Sequence, residues 1–229
     1  MSATENQEKA ILSEEERARL AEDALKTKYQ ESFVVTEVFG QKYGELYYEV
    51  QAYSEEYPQL RFSANVNMEG NLVSDAYVEK RVCAQISEKI MDNLDSLPGD
   101  YDVYVRGVGP QPLTSKANIG LEAYLSLDTC NRFMIYVFFN PDNAEIEMVY
   151  ESITHIMDDI SLSEAKIRFC VTDEPLLQEI QAYFDVNDDV YFDFQEIEEK
   201  LKSIDITFHS GTIDLSKEML VSELEEVIK

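Results

Sequence analysis

The sequence is short of basic residues: 19 Lys and Arg stand against 46 Asp and Glu, leaving a formal charge of −27 over 229 residues. That shortage excludes ordinary DNA or RNA binding, because phosphate contact depends on clustered Lys and Arg. Cysteine is scarce too. Cys83, Cys130 and Cys170 are an odd, widely spaced set without CxxC spacing, which excludes a disulfide framework and a cysteine zinc site and leaves three small buried thiols. Long apolar runs are missing. The longest, Phe133 to Phe139, has the length of a strand, far below the roughly 18 to 20 residues of a membrane span. The opening Met1–Lys9 has neither a basic start nor an apolar stretch, so a soluble cytoplasmic protein is expected, with an extracytoplasmic one whose signal has been removed as the alternative.

Catalytic motifs are also absent. No GxxxxGK[ST] or GxSxG occurs, and Gly107-Val108-Gly109-Pro110 lacks the further glycine and the helix start of a phosphate cradle. Nucleotide and hydrolase chemistry therefore lack support, and the reading leans away from an enzyme. Carboxylate pairs such as Asp158-Asp159 and Asp188-Asp189 say little about acid and base catalysis in a chain this acidic.

What is present is enough apolar material, 45% of residues, for one large core or two modest ones. After a polar leader over 1–12, Ser13 and Glu16 have capping-box spacing, and Leu20, Ala21, Ala24, Leu25, Lys28 and Tyr29 follow at helical intervals. Alternation in 33–38, 46–52 and 60–66, punctuated by Gly40, Gly44, Pro58 and Gly70, predicts an antiparallel meander, with a further short strand at 72–77. Val78, Val82, Ile86, Ile90 and Leu94 predict a second helix, and a change of composition near residue 99 divides a unit at 13–99 from one at 100–229.

In the second unit, 101–108, 120–127 and 132–139 read as strands, the last two joined by a hairpin around Thr129–Asn131. Residues 132–139 are apolar on both faces and so belong inside a sheet. Ile146 to Ile160 make a helical stripe, 167–171 a strand, Leu176 to Phe184 a helix, 197–201 a short helix, 204–208 a strand and Leu220 to Ile228 a terminal helix. The fold class is α+β: antiparallel sheets with helices packed on one face, in two units.

The helix running into Lys28-Tyr29, then Glu31 and Phe33-Val34-Val35, with Gly70 and Asp75–Tyr77 farther on, resembles small uncharacterised proteins and lipoproteins of Gram-positive bacteria. The resemblance covers about 65 residues of the first unit. It implies a bacterial helix-plus-antiparallel-sheet domain and a surface location, and it implies no reaction.

One local pattern points to a ligand. Asp185, Asn187, Asp189, Tyr191, Asp193 and Glu196 fall at positions 1, 3, 5, 7, 9 and 12 of a calcium-loop template, and alternating carboxylates closed by Glu can wrap six to eight oxygens around one cation. Against it, Val190 stands where the template needs the glycine of a sharp turn. A solvated acidic connection is the other reading of the same residues. His155 falls on the polar side of its helix, and His209 precedes Ser210-Gly211 at a turn, so neither is an obvious ligand or base.

Tyr43, Tyr47, Tyr48, Tyr53 and Tyr57 crowd the meander and could form an aromatic contact surface, or be covered by a helix. Together these features predict an acidic, non-enzymatic binding or accessory protein with a protein partner. A calcium-binding regulatory module or enzyme using the Asp185–Glu196 loop is the alternative, and a DNA mimic with carboxylates at phosphate-like spacing a further one.

Overall fold

The computed structural model describes residues 12–40, 46–95, 97–108, 119–127, 132–141, 145–159, 162, 164–186, 201–209 and 212–228. By its contacts the chain divides into two compact units, Met1–Tyr77 and Val78–Lys229, so the second helix goes with the later unit.

In the first unit, α1 (Glu14–Tyr29) starts as its sequence dictates. The Ser13 hydroxyl accepts from the Glu16 amide at 3.2 Å, and the Glu16 carboxylate accepts from the Ser13 amide at 2.8 Å, satisfying two of the amides a helix start leaves open. The helix ends at Gln30, which turns left-handed (φ 59°) and donates its amide to the Lys26 carbonyl. Strands β1 (Phe33–Val38), β2 (Tyr47–Ser54), β3 (Tyr57–Asn67) and β4 (Leu72–Asp75) form an antiparallel meander in chain order. Alternation decides its two faces: Tyr48, Val50, Ala52, Phe62, Ala64 and Val66 are buried on the side of α1, which supplies Ala21, Leu25 and Tyr29. At the β3–β4 turn Gly70 adopts φ 82°, which favours glycine, and a Cβ there would lie 2.9 Å from Leu20 Cδ2, which would have to move aside.

The second unit is built on a five-stranded sheet in chain order, β5 (Gly99–Gly107), β6 (Arg132–Pro141), β7 (Glu164–Val171), β8 (Lys202–His209) and β9 (Thr212–Ile213). Neighbours are antiparallel except β6 and β7, which run parallel because α4 (Ile146–Asp159) carries the chain back between them. Strand β6 is an inner strand, and every residue from Phe133 to Phe139 is buried. The remaining helices are α2 (Tyr77–Leu94), α3 (Leu121–Leu125), α5 (Glu174–Val186) and α6 (Lys217–Ile228).

Register assigns the two faces of this sheet. Phe133, Ile135, Val137, Ala165, Ile167, Phe169, Ile204, Ile206 and Phe208 share one buried face; α6 lies against β8 and α4. On the opposite face α5 packs Leu176, Leu177 and Ile180 onto Met134, Tyr136, Phe138 and Cys170, with Phe184 stacked on Tyr104 at 4.1 Å between ring centroids. The α+β class holds, and the one-faced arrangement holds for the first sheet; the second carries a helix on its other face as well. The physical reason is β6, whose second apolar row Met134, Tyr136, Phe138 needs cover of its own.

Residues 121–125, read as part of a strand, are helical and so supply no strand to pair with β6, which pairs with β5 instead. Leu121 and Tyr124 are the buried pair, three residues apart, and this spacing outweighs the equally visible alternation of Leu121, Ala123 and Leu125. Residues 128–131 and the short helix expected at 197–200 lie outside the described residues.

Candidate binding surfaces

Three places gather polar side chains. The first is inside the first unit. Asp75, its side chain only 1% exposed, accepts from Lys28 Nζ at 2.7 Å, the Tyr29 hydroxyl at 2.5 Å and the Tyr77 amide at 3.1 Å. Glu31 accepts from the Tyr77 hydroxyl and, at 3.2 Å, from Ser54 Oγ. Tyr29, Phe33, Phe62 and Tyr77 surround these groups with edge-to-face and tilted ring contacts at 4.9–5.9 Å. Burial, then the bond to Asp75 and its charge, raise the Tyr29 pKa, which keeps this hydroxyl a donor. Lys28, Tyr29, Glu31, Phe33, Asp75 and Tyr77 are among the residues that carried the sequence resemblance, and here they tie the end of α1 to the end of β4. Every polar group in this network is committed within the unit.

The second place is the outer face of the first sheet. Tyr47, Glu49, Gln51 and Tyr53 of β2 point away from the core opposite Asn67, Asn65, Ser63 and Arg61 of β3. Cross-strand bonds hold the row: Gln51 Nε2 donates to Ser63 Oγ at 2.7 Å and Asn65 Nδ2 to Ser74 Oγ at 3.0 Å. Only Glu49 and Arg61 in these pairs are charged. Of the five tyrosines read together, Tyr47 and Tyr53 lie on this face; Tyr48 points inward and donates to the Arg17 carbonyl at 2.9 Å; Tyr57 is half-buried; Tyr43 is outside the described residues. Elsewhere in this unit Phe39, Leu46 and Val73 are exposed apolar side chains, at 41%, 81% and 55%.

The third place is the end of the second sheet beyond α5. Register aligns Arg106, Met134, Lys166 and Thr207 in one row across β5 to β8, and Val108, Arg132 and Glu164 lie at the next. They line a hollow of 320 Å³. Arg132 Nε meets Glu164 at 2.7 Å, while Lys166 at 2.6 Å and Arg168 at 2.7 and 3.1 Å share Asp205. Burial would raise the Asp205 pKa, but the Arg168 and Lys166 hydrogen bonds and charges outweigh it and hold the carboxyl below its usual value. Arg106 lies over the Tyr136 ring at 5.8 Å, and its buried Nε has no hydrogen-bond partner among the described residues. These cations lie on three strands and converge only through register.

The calcium-loop residues are not placed. Asp185 falls in the last turn of α5, while Asn187, Asp189, Tyr191, Asp193 and Glu196 lie outside the described residues. Among the described residues no group of three or more His, Cys, Asp or Glu side chains gathers as a metal would need, and no helix is long and apolar enough to cross a membrane. His155 is exposed on α4. Cys83 and Cys170 are buried free thiols, and burial pushes the Cys83 thiol up to about 12, leaving it unreactive near neutral pH.

No family profile matches the chain, and no curated protein matches it. Among solved structures, the crystal structure of a DUF5037 family protein from Ruminococcus gnavus ATCC 29149 superposes with a TM-score of 0.68 at 15% identity, covering 91% of this chain and 98% of that one. At that identity the likeness concerns the fold.

Proposed function

We propose that the protein is a non-enzymatic binding protein and that the outer face of its first sheet receives another protein. The observation that carries this is composition by location. In a chain of net charge −27, the register pairs of this face carry one acid and one base, Glu49 and Arg61, among Tyr, Asn, Gln and Ser held in place by cross-strand bonds. Tyr supplies contact area at low conformational cost, and Asn, Ser and Gln supply adaptable hydrogen bonds. The −27 charge of the whole chain favours a basic partner by long-range attraction, which the polar, aromatic face then holds at short range. Buried free thiols suit a cytoplasmic setting, and the resemblance to lipoproteins supports a surface one; the docking reading is the same for either.

Affinity capture from a cell extract, comparing the wild type with Tyr47→Ser/Tyr53→Arg, tests the proposal. A basic partner retained by the wild type and lost from a variant with an unchanged circular dichroism spectrum is expected. Equal retention by both, or turnover found in an activity screen, would sink the reading. A second reading keeps the Asp185–Glu196 loop as a calcium site, supported by α5, which delivers the chain directly into its first position. Calorimetric titration checks it, and absence of binding at millimolar calcium ends it.

A further inference from the structure

We propose that the hollow at the open end of the second sheet binds a small organic anion, a carboxylate or phosphate monoester with an apolar body. Its 320 Å³ lies at the small end of the roughly 300–1,000 Å³ found for ligand pockets, too little for a folded partner and enough for a compact molecule.

The charge is unusual for this chain. Among the described residues, Arg106, Arg132, Lys166 and Arg168 meet only Glu164 and Asp205 at this end of the face, although acids outnumber bases more than twofold overall. Both carboxylates are already matched, Glu164 by Arg132 and Asp205 by Lys166 and Arg168. Arg106 is not matched by any described carboxylate, and its Nε is buried without a partner. A buried donor left unpaired is destabilising, and an oxyanion at the guanidinium would satisfy it, since the planar fork fits carboxylate and phosphate alike. Tyr136 under the guanidinium limits its movement.

Among the described lining residues, Val108, Phe133, Met134 and Ala165 are apolar. Val108, 42% exposed, and Met134 flank Arg106 in the register, so a ligand whose charge reaches Arg106 lays its body on them. A bare inorganic anion would use only half of this arrangement. The inference concerns the second unit alone and does not depend on the docking face of the first.

Calorimetric titration with benzoate, phenyl phosphate and inorganic phosphate tests it. One of the two aromatic anions is expected to bind at least about tenfold more tightly than inorganic phosphate, and which one does so separates a carboxylate from a phosphate ligand. Arg106→Leu is expected to weaken that binding about tenfold or more. Val108→Asp puts a repelling charge at an exposed position without touching the core, and is expected to weaken it as well, so the proposal stays testable where Arg106→Leu fails to fold. Failure of both aromatic anions to bind at about 10 mM, equal binding of inorganic phosphate, or binding undiminished in Val108→Asp would overturn the proposal. Saturable binding of a glutamate-rich peptide that neither aromatic anion displaces would also overturn it, in favour of a protein ligand.

Discussion

Asp75 in the first unit and Asp205 in the second each collect a lysine and further donors, in opposite surroundings. Asp75 holds Lys28, Tyr29 and a backbone amide with its side chain 1% exposed; Asp205 holds Lys166 and Arg168 with its side chain 39% exposed. Distances are alike, close to 2.7 Å, so geometry alone would rank the two as equals. Burial separates them. In water an ion pair exchanges one set of good contacts for another and is worth about 0–1 kcal/mol, whereas removing one partner of a buried set strands the others away from solvent.

The largest test of this comparison is Asp75→Ala against Asp205→Ala. The first strands the Lys28 ammonium, the Tyr29 hydroxyl and the Tyr77 amide and is expected to cost about 3 kcal/mol; the second should stay within about 0.5 kcal/mol. Denaturant unfolding of both variants measures the difference, and equal losses would break the comparison. Gly70→Ala comes next, at about 1–2 kcal/mol, because it combines a left-handed backbone with the 2.9 Å approach to Leu20 Cδ2. A loss of only a few tenths in the same unfolding assay would mean that Leu20 moves aside and the turn tolerates a Cβ.

Alkaline pH probes the buried network without mutation. The Tyr29 pKa is raised above the ordinary 10.0, chiefly by burial and then by the bond to Asp75. Folding therefore favours the protonated phenol. Its stabilisation is complete below pH 10 and lost as pH rises toward the folded value, because only the unfolded chain ionises in that interval. Denaturation curves should be flat in this respect up to about pH 10 and fall beyond it, and Tyr29→Phe should fall less steeply. An unchanged slope in Tyr29→Phe would show that other tyrosines, such as Tyr48 and Tyr124, whose pKa values burial also raises, dominate.

Local features of the sequence foretold local structure well. Ser13 and Glu16 announced α1, alternation announced β2 and β3, and the unbroken Phe133–Phe139 announced an inner strand. Leu121–Leu125 was misread because five residues satisfy helical and strand periods equally, and burial of Tyr124 decides between them. The cation-lined hollow was not legible, since Arg106, Arg132 and Lys166 are far apart in sequence and meet only after β6 takes register with both β5 and β7. A partial signal existed: Lys166 and Arg168 alternate with the buried Ile167 and Phe169, which puts two cations on one strand face. Six of the residues that carried the resemblance are neighbours in space, a result no spacing rule could have supplied for positions as distant as Glu31 and Tyr77.

The smallest expected effect belongs to Asp205. Its folded pKa lies below the ordinary 3.8 despite partial burial, since Arg168 and Lys166 favour the charged form. The stabilisation it contributes is therefore present above pH 3.8 and lost as pH falls through the folded value, the unfolded chain taking up the proton first. Exposure to solvent weakens the effect, so it should be visible in the Asp205 side-chain NMR titration and scarcely in the unfolding curve. Arg168→Gln removes one of the two cations and should move the titration midpoint upward toward 3.8, and added salt should do the same to the wild type. A midpoint that ignores both changes would mean that the ion pairs on this open face do not persist in solution, and the contrast with the buried network would then be wider than the distances imply.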